Sequence, residues 1–162
     1  MAVEIERKFL VKALPQLDES KGTDIVQAYL RADARGSVRI RIAGEQAWLT
    51  IKGPAQGRRR HEYEYPIPSA DAQEMLALAV SAPVRKRRYT LEENGHLWEI
   101  DVFRGLNAGL TLAEVELPTE HAAVRLPGWI GKEVTEDPRY LNSSLSRRPY
   151  VTWASEVPPG EH

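Results

Sequence analysis

The sequence predicts a mainly β (α+β) fold, with about eight antiparallel strands in one barrel or sheet and a few helices beside it. Three observations predict it. Apolar and polar residues alternate with period two over eight stretches, turn signals stand between those stretches, and helical periodicity is confined to two short segments. With 162 residues, 42% hydrophobic and 28% charged, the chain is the size of one globular unit with an adequate core. No internal repeat, linker or low-complexity block interrupts it, so residues 1–155 are expected to form a single domain. The Pro- and Gly-containing tail, 156–162, is expected to fray.

In chain order, the alternation marks strands at 3–11, 25–32, 37–43, 47–52, 58–67, 84–92, 96–103 and 112–117. Ala34-Arg35-Gly36, Gly53-Pro54, Glu93-Asn94-Gly95 and the stretch from Gly105 to Gly109 supply the turns, and the Asn-Gly pair signals a tight hairpin. Ser69 is expected to cap a helix through Val80, with Ala72, Met75, Leu76 and Ala79 on one stripe and Pro83 just beyond. Asp137-Pro138 opens a second candidate helix, with Tyr140, Leu141 and Leu145 on its stripe, that closes before Pro149.

Charge excludes several classes of function. Lys plus Arg total 22 and Asp plus Glu total 23, so a net charge of −1 gives no global pull toward nucleic acid or a membrane surface. No apolar stretch approaches the roughly 20 residues of a membrane span, and the charged N-terminal residues do not read as a secretory signal. A cytoplasmic location is expected. The chain has no Cys, and His61, His96, His121 and His162 are too scattered for a zinc cluster.

The chemistry lies in what alternates with the apolar residues. Glu4, Glu6 and Lys8 share one face of the first strand, opposite Val3, Ile5 and Phe9. Parity likewise groups Arg39 with Arg41, Thr50 with Lys52, Glu62 with Glu64, Lys86 with Arg88, Glu99 with Asp101, and Glu114 with Glu116. For any one strand, a charged face turned to water is the ordinary arrangement. Four repeats of Glu-x-Glu or Glu-x-Asp, however, set like charges roughly 7 Å apart, where they repel unless a cation intervenes. If these faces line a closed barrel, eight carboxylates and six cations meet in one lumen, with the apolar faces outside under helices and loops. Such a lumen suits a charged ligand. Carboxylates on neighbouring strands suit a hard cation such as Mg²⁺ or Mn²⁺. Arg and Lys grip phosphate oxygens. With no obvious nucleophile, the combination describes phosphoryl transfer to a metal-activated water.

These residues resemble the CYTH domain, the triphosphate tunnel metalloenzymes. Glu4-Ile5-Glu6-Arg7-Lys8-Phe9 is similar to the ExExK signature of that family. Val38-Arg39-Ile40-Arg41, Thr50-Ile51-Lys52-Gly53, Glu62-Tyr63-Glu64, Lys86-Arg87-Arg88-Tyr89, Trp98-Glu99-Ile100-Asp101, Glu114-Val115-Glu116 and Gly131-Lys132-Glu133-Val134-Thr135 follow in the family's order. The resemblance implies a CYTH-like, eight-stranded antiparallel closed β-barrel tunnel acting on inorganic, thiamine or nucleoside triphosphates, or cyclising ATP, with Mg²⁺ or Mn²⁺. By position, Glu4, Glu6, Glu114 and Glu116 would hold metal, with Asp101 a helper. Lys8, Arg39, Arg41, Lys52, Lys86 and Arg88 would bind phosphate, while Glu62, Glu64 and Glu99 would orient cations or waters.

Tyr29 shares a strand face with Gln27 and Arg31, and a phenol among cations could accept a proton; Lys86 is the rival for that role, if neighbouring charge depresses its pKa. A Tyr packed at the wall and a Lys that only binds phosphate are the plainer readings. Residues 137–148 could close one tunnel mouth, bringing Arg139, Tyr140 or Asn142 near the ligand, and Arg60 shares the face of Glu62. The expected activity is hydrolysis of a short linear polyphosphate, foremost inorganic triphosphate to pyrophosphate and phosphate. The subtractive support is that no Gly-rich phosphate loop and no aromatic-lined insertion for a base is visible. Rival readings are an adenylyl cyclase or a thiamine or nucleoside triphosphatase on the same fold. Others are a non-catalytic polyphosphate-binding module, or an RNA-binding protein using Arg58 to Arg60 and Arg85 to Arg88. The expected partner is a small polyphosphate, with nucleic acid disfavoured, no membrane, and a monomer or homodimer.

Overall fold

The computed structural model describes residues 2–158. Its strands are β1 (Val3–Val11), β2 (Thr23–Asp33), β3 (Gly36–Ala43), β4 (Gln46–Lys52), β5 (Arg59–Ile67), β6 (Val84–Glu93), β7 (His96–Arg104), β8 (Thr111–Glu116) and β9 (Ile130–Glu133); its α-helices are α1 (Ser69–Met75) and α2 (Asn142–Arg147). All pairings are antiparallel, in the order β5-β4-β3-β2-β6-β7-β8-β1, and β5 pairs with β1 to close a ring of eight strands. Closure removes the exposed edges that a sheet of this size would otherwise present.

The expected strands stand within two residues of their predicted bounds, because the alternation that signals them is also what the ring needs. Asn94 and Gly95 both take positive φ, 54° and 78°, as the tight β6–β7 hairpin requires. Gly36 opens β3 at φ 128°, with the carbonyl of Lys52 where a Cβ would stand, so only glycine fits there. The four residues of β9 were not anticipated. They extend the edge of β1 beyond the point where β5 leaves it, pairing Phe9 with Glu133 and Val11 with Ile130. The expected helix from Ser69 is shorter than its stripe, passing into a 3-10 turn at Leu76–Leu78; Pro68, not Ser69, occupies the cap position. The second helix is split. A 3-10 turn, Pro138–Tyr140, is followed by extended Leu141 and only then by α2.

Two apolar clusters lie on the outside of the ring and a third lies within it. On the outer face of β1, β6, β7 and β8, Phe9, Tyr89, Trp98, Ile100, Ala113 and Val115 pack beneath Ile130, Ala122, Val124 and Trp129. On the outer face of β3 and β4, Ile40, Ile42 and Ala47 pack beneath Ala72 and Met75 of α1. The third cluster departs from expectation because it lies inside the ring. Leu10, Val84, Phe103 and Leu112 fill one end of the lumen, where Tyr140, Leu145, Tyr150, Trp153 and Val157 plug it. The apolar residues therefore do not all face outward. Burying large side chains such as these is worth roughly 1.5–3 kcal/mol each, which holds the C-terminal segment in place. Val157 is buried in this plug while Glu156 and Pro158 are exposed; 159–162, the rest of the segment expected to fray, lies outside the described residues.

Candidate active site

Above the plug, inward-facing side chains of seven strands line a cavity of about 220 Å³. β1 contributes Glu4, Glu6 and Lys8; β3 contributes Ser37, Arg39 and Arg41; β4, Lys52; β5, Arg60, Glu62 and Glu64; β6, Lys86 and Arg88; β7, Glu99; β8, Glu114 and Glu116. Tyr29 adds an eighth wall from β2, and Leu141, Asn142 and Ser143 reach in from the plug. The parity of the strands is the cause: a two-residue repeat sends every second side chain into the lumen. The basic run reaches it only through Arg60, which donates to the carbonyl of Gly53 at 2.8 and 3.2 Å. Arg31 does not join Gln27 and Tyr29. A bulge between Tyr29 and Arg31 shifts the register, and Arg31 pairs with Asp33 at 2.7 Å in solvent.

Acidic and basic groups are partly paired. Lys52 Nζ lies 2.9 Å from Glu4 and 3.2 Å from Glu62; Lys8 Nζ lies 3.5 Å from Glu114; Arg88 Nη1 lies 2.8 Å from Glu99. Glu64 accepts from Thr50 at 2.7 Å and from Arg39 at 3.3 Å. Asp101 sits behind the lining. Its oxygens accept from Lys86 Nζ at 2.7 Å, Arg88 Nε at 2.7 Å and Arg88 Nη2 at 2.9 Å, so the carboxylate expected to help a metal is committed to two cations.

What is left over is informative. Burial, Glu114 and Glu4 push the Glu6 carboxyl well above its ordinary range, and burial with Glu4, Glu62 and Glu99 raises Glu116. Burial opposes ionisation of Glu4 and Glu114 as well, but Lys52 lowers Glu4, and Lys8 with Arg88 lowers Glu114 to about 2. Across the lumen the excess has the opposite sign. Burial, Arg39 and Arg88 lower Arg41 to about 10. Burial, Arg88 and Arg41 bring Lys86 down to about 7 against the pull of Asp101. Arg39 Nε is buried without a hydrogen-bond partner. One wall thus lacks a cation and the other an anion. Among the described residues no three His, Asp or Glu side chains are gathered as a ready metal cluster, since Lys52 and Lys8 occupy two of the carboxylates. The unneutralised Glu6 and Glu116, with their oxygen-only donors, nevertheless fit a hard divalent ion.

Sequence reasoning left some lining residues unassigned. Ser37 and Ser143 carry no signal by type; of Arg139, Tyr140 and Asn142, expected near the ligand, Asn142 lines the channel, Arg139 pairs with Asp137 at 2.7 Å and Tyr140 is buried in the plug. Trp48 is a second omission. With Ile25, Ala43, Arg41 and Arg88 it lines a cavity of about 240 Å³ that shares Arg41, Glu64 and Arg88 with the channel, so an aromatic wall exists without any insertion. No helix among the described residues is long and apolar enough to cross a membrane.

Comparison with known proteins agrees with this architecture. The chain is 46% identical over 151 residues to an inorganic triphosphatase of Acetivibrio thermocellus, covering 93% of this chain and 97% of that protein. It is 37% identical over 147 residues to an inorganic triphosphatase of Nitrosomonas europaea, covering 88% and 96%. A crystal structure of an inorganic triphosphatase superposes with a TM-score of 0.64 at 37% identity, covering 88% of this chain and 97% of the other. The PH1012 protein of Pyrococcus horikoshii, at 19% identity, TM-score 0.54 and coverage of 72% and 79%, shares the fold. The family model for the CYTH domain matches residues 2–150, and with the ring of eight strands and its charged lumen already in place, the chain belongs to the CYTH family.

Proposed function

We propose that the protein hydrolyses inorganic triphosphate to pyrophosphate and phosphate. The observation that carries this reading is the opposed charge excess: Arg39 Nε buried without a partner on one wall, and Glu6 and Glu116 resisting ionisation on the other. A polyanion accompanied by a divalent cation neutralises both walls at once. The relatives at 46% and 37% identity are inorganic triphosphatases, which supports the same substrate for this chain.

The CYTH family implies a divalent metal, and we assign it to Glu4, Glu6, Glu114 and Glu116, with Mg²⁺ or Mn²⁺ as the ion. When bound, it supplies positive charge to phosphoryl oxygens and acidifies water. Lys8, Arg39, Arg41, Lys52 and Arg88 hold the phosphates, the guanidinium groups as two-point donors. Glu62, Glu64 and Glu99 hold Lys52, Arg39 and Arg88 in place, and Asp101 does the same for Lys86 and Arg88. Water attacks the terminal phosphorus, the bond to the bridging oxygen breaks, and pyrophosphate leaves with the electron pair; one proton is released from the water. Burial brings the Lys86 ammonium down to about 7 against the pull of Asp101, which moves it toward the amine form, and we assign it as the acceptor for that proton. Tyr29, whose hydroxyl accepts from Gln27 Nε2 at 3.3 Å, is the alternative.

A second reading has one specific observation in its favour. Trp48 beside Arg41 and Arg88 could face the ring of an organic triphosphate such as a nucleoside or thiamine triphosphate. Phosphate release from tripolyphosphate, pyrophosphate, ATP and thiamine triphosphate, with Mg²⁺ and with EDTA, tests both. Release from tripolyphosphate in preference to the others, abolished by EDTA, is expected. A preference for an organic triphosphate would favour the second reading, and release indifferent to EDTA would refute the metal assignment.

A further inference from the structure

The blind end of the channel is closed by residues that follow β9, and two of them reach the cations: the Tyr140 carbonyl accepts from Lys8 Nζ at 3.2 Å, and the Asn142 side chain enters further. Leu141 leaves the 3-10 turn with φ −65° and ψ 135°, which turns the chain so that Asn142 enters the lumen as α2 begins. Asn142 Oδ1 accepts from Gln27 Nε2 at 2.8 Å and from Lys86 Nζ at 3.1 Å. Gln27 is fully buried. Its Oε1 accepts from Arg41 Nε at 3.1 Å, and its Nε2 also donates to the Tyr29 hydroxyl. Two amides thus connect Lys86, Arg41 and Tyr29, which come from three different strands.

An amide is the group this position calls for. It accepts from Lys86 without cancelling charge, whereas a second carboxylate beside Asp101 would leave this corner of the channel with an excess of negative charge facing the incoming polyanion. The apolar plug does not need the contact, because Tyr140, Leu145, Tyr150, Trp153 and Val157 make it without Asn142. We propose that Asn142 and Gln27 are positioning residues, a relay that holds Lys86 and Arg41 toward the ligand and makes the C-terminal segment part of the channel's working parts. This rests on the triphosphatase reading and deepens it.

The test uses the full chain, tripolyphosphate and Mg²⁺. Asn142→Ala removes one of the two side-chain acceptors that hold Lys86, leaving Asp101 as the other, and is expected to lower kcat about tenfold, the scale of one hydrogen bond to a charged group, with KM and Tm nearly unchanged. Asn142→Asp keeps the acceptor, so kcat at its alkaline plateau is retained, while the added negative charge moves the rise of kcat to higher pH and raises KM. Gln27→Leu frees Arg41 and is expected to raise KM about tenfold. In the double variant Asn142→Ala/Gln27→Leu, the loss in kcat/KM is smaller than the product of the single losses, because both act in one chain. Wild-type kcat and KM in Asn142→Ala, or fully multiplicative losses in the double variant, would overturn the relay. If Asn142→Ala fails to fold, the Asn142→Asp split between kcat and KM decides; equal losses in both parameters would overturn it. A wild-type chain that does not hydrolyse tripolyphosphate would refute the proposed activity instead. Calorimetric titration of tripolyphosphate then decides the relay: tenfold weaker binding to Gln27→Leu supports it and equal affinity overturns it.

Discussion

Asp101→Asn removes one charge from the most enclosed ion-pair network in the ring while keeping the side chain's volume. The Asp101 side chain is 2% exposed and that of Lys86 1%, and three charge-assisted bonds of 2.7–2.9 Å end on its oxygens. Taking one partner from a buried pair costs about 3–5 kcal/mol, because the cations left behind keep their desolvation cost without compensation. At about 2–4 °C per kcal/mol for a chain of this size, the melting temperature should fall by about 6–20 °C. The assay is calorimetric or circular-dichroism melting in EDTA at pH 7.5, with Glu133→Gln as the control. Glu133 accepts from Arg7 at 2.6 and 3.0 Å but is 33% exposed, and loss of that pair should cost no more than about 1 kcal/mol. The sign with pH is also fixed. Burial opposes ionisation of Asp101, but Arg88 and Lys86 lower it far below its unfolded value. Its contribution is therefore present above about pH 4, the unfolded carboxylate range, and is lost as pH falls. Asp101→Asn should flatten that acid limb. A loss below about 1 kcal/mol, equal to the control, would refute the argument that this network is desolvated and essential.

Glu6→Gln should remove metal-dependent phosphate release yet leave the ion-free protein as stable or more so at neutral pH, as melting in EDTA would record. Because the Glu6 pKa is raised in the folded state, wild-type stability from this group is full at acid pH and declines as pH rises through the folded value, and Mg²⁺ should restore it most at alkaline pH. Arg41→Ala should mainly raise KM, by about tenfold or more, as expected for a charged donor to phosphate; an unchanged KM with reduced kcat would contradict that placement. If Lys86 takes the proton, kcat should rise with pH through about 7, Lys86→Arg should abolish turnover, and Tyr29→Phe should retain most of it. The opposite ranking of those two variants in a pH series would assign the role to Tyr29.

The strands and the inward charges were legible because one periodicity writes both: a two-residue repeat that alternates Val3, Ile5 and Phe9 with Glu4, Glu6 and Lys8 fixes an element and a face together. Ring closure through Val3↔His61 and Glu4↔Arg60 was not written in either strand alone: the alternation left barrel and sheet both open, and the family resemblance implied the closed tunnel. The inner plug did leave a trace. Leu10, Val84, Phe103 and Leu112 each stand two positions from an inward charge, namely Lys8, Lys86, Asp101 and Glu114, so four strands switch from charged to apolar on the lumen face at the same end. Strand β9 has only four residues, too few for alternation to register, and it pairs as an edge extension of β1. Asn142 lay in a segment whose stripe of Tyr140, Leu141 and Leu145 suggested one helix. Extended Leu141 breaks that stripe between Tyr140 and Leu145, which both pack into the inner cluster, and no local pattern encodes the break.

The most direct measurement is a crystal structure of the Lys86→Arg variant, in which turnover should be abolished if Lys86 takes the proton, soaked with tripolyphosphate and Mn²⁺ and read by anomalous scattering. The account predicts a manganese peak on the side of Glu6, Glu114 and Glu116 and phosphate density within hydrogen-bond reach of Arg39 Nε and Arg41. Manganese or phosphate bound only outside the ring, with the channel holding water alone, would contradict it.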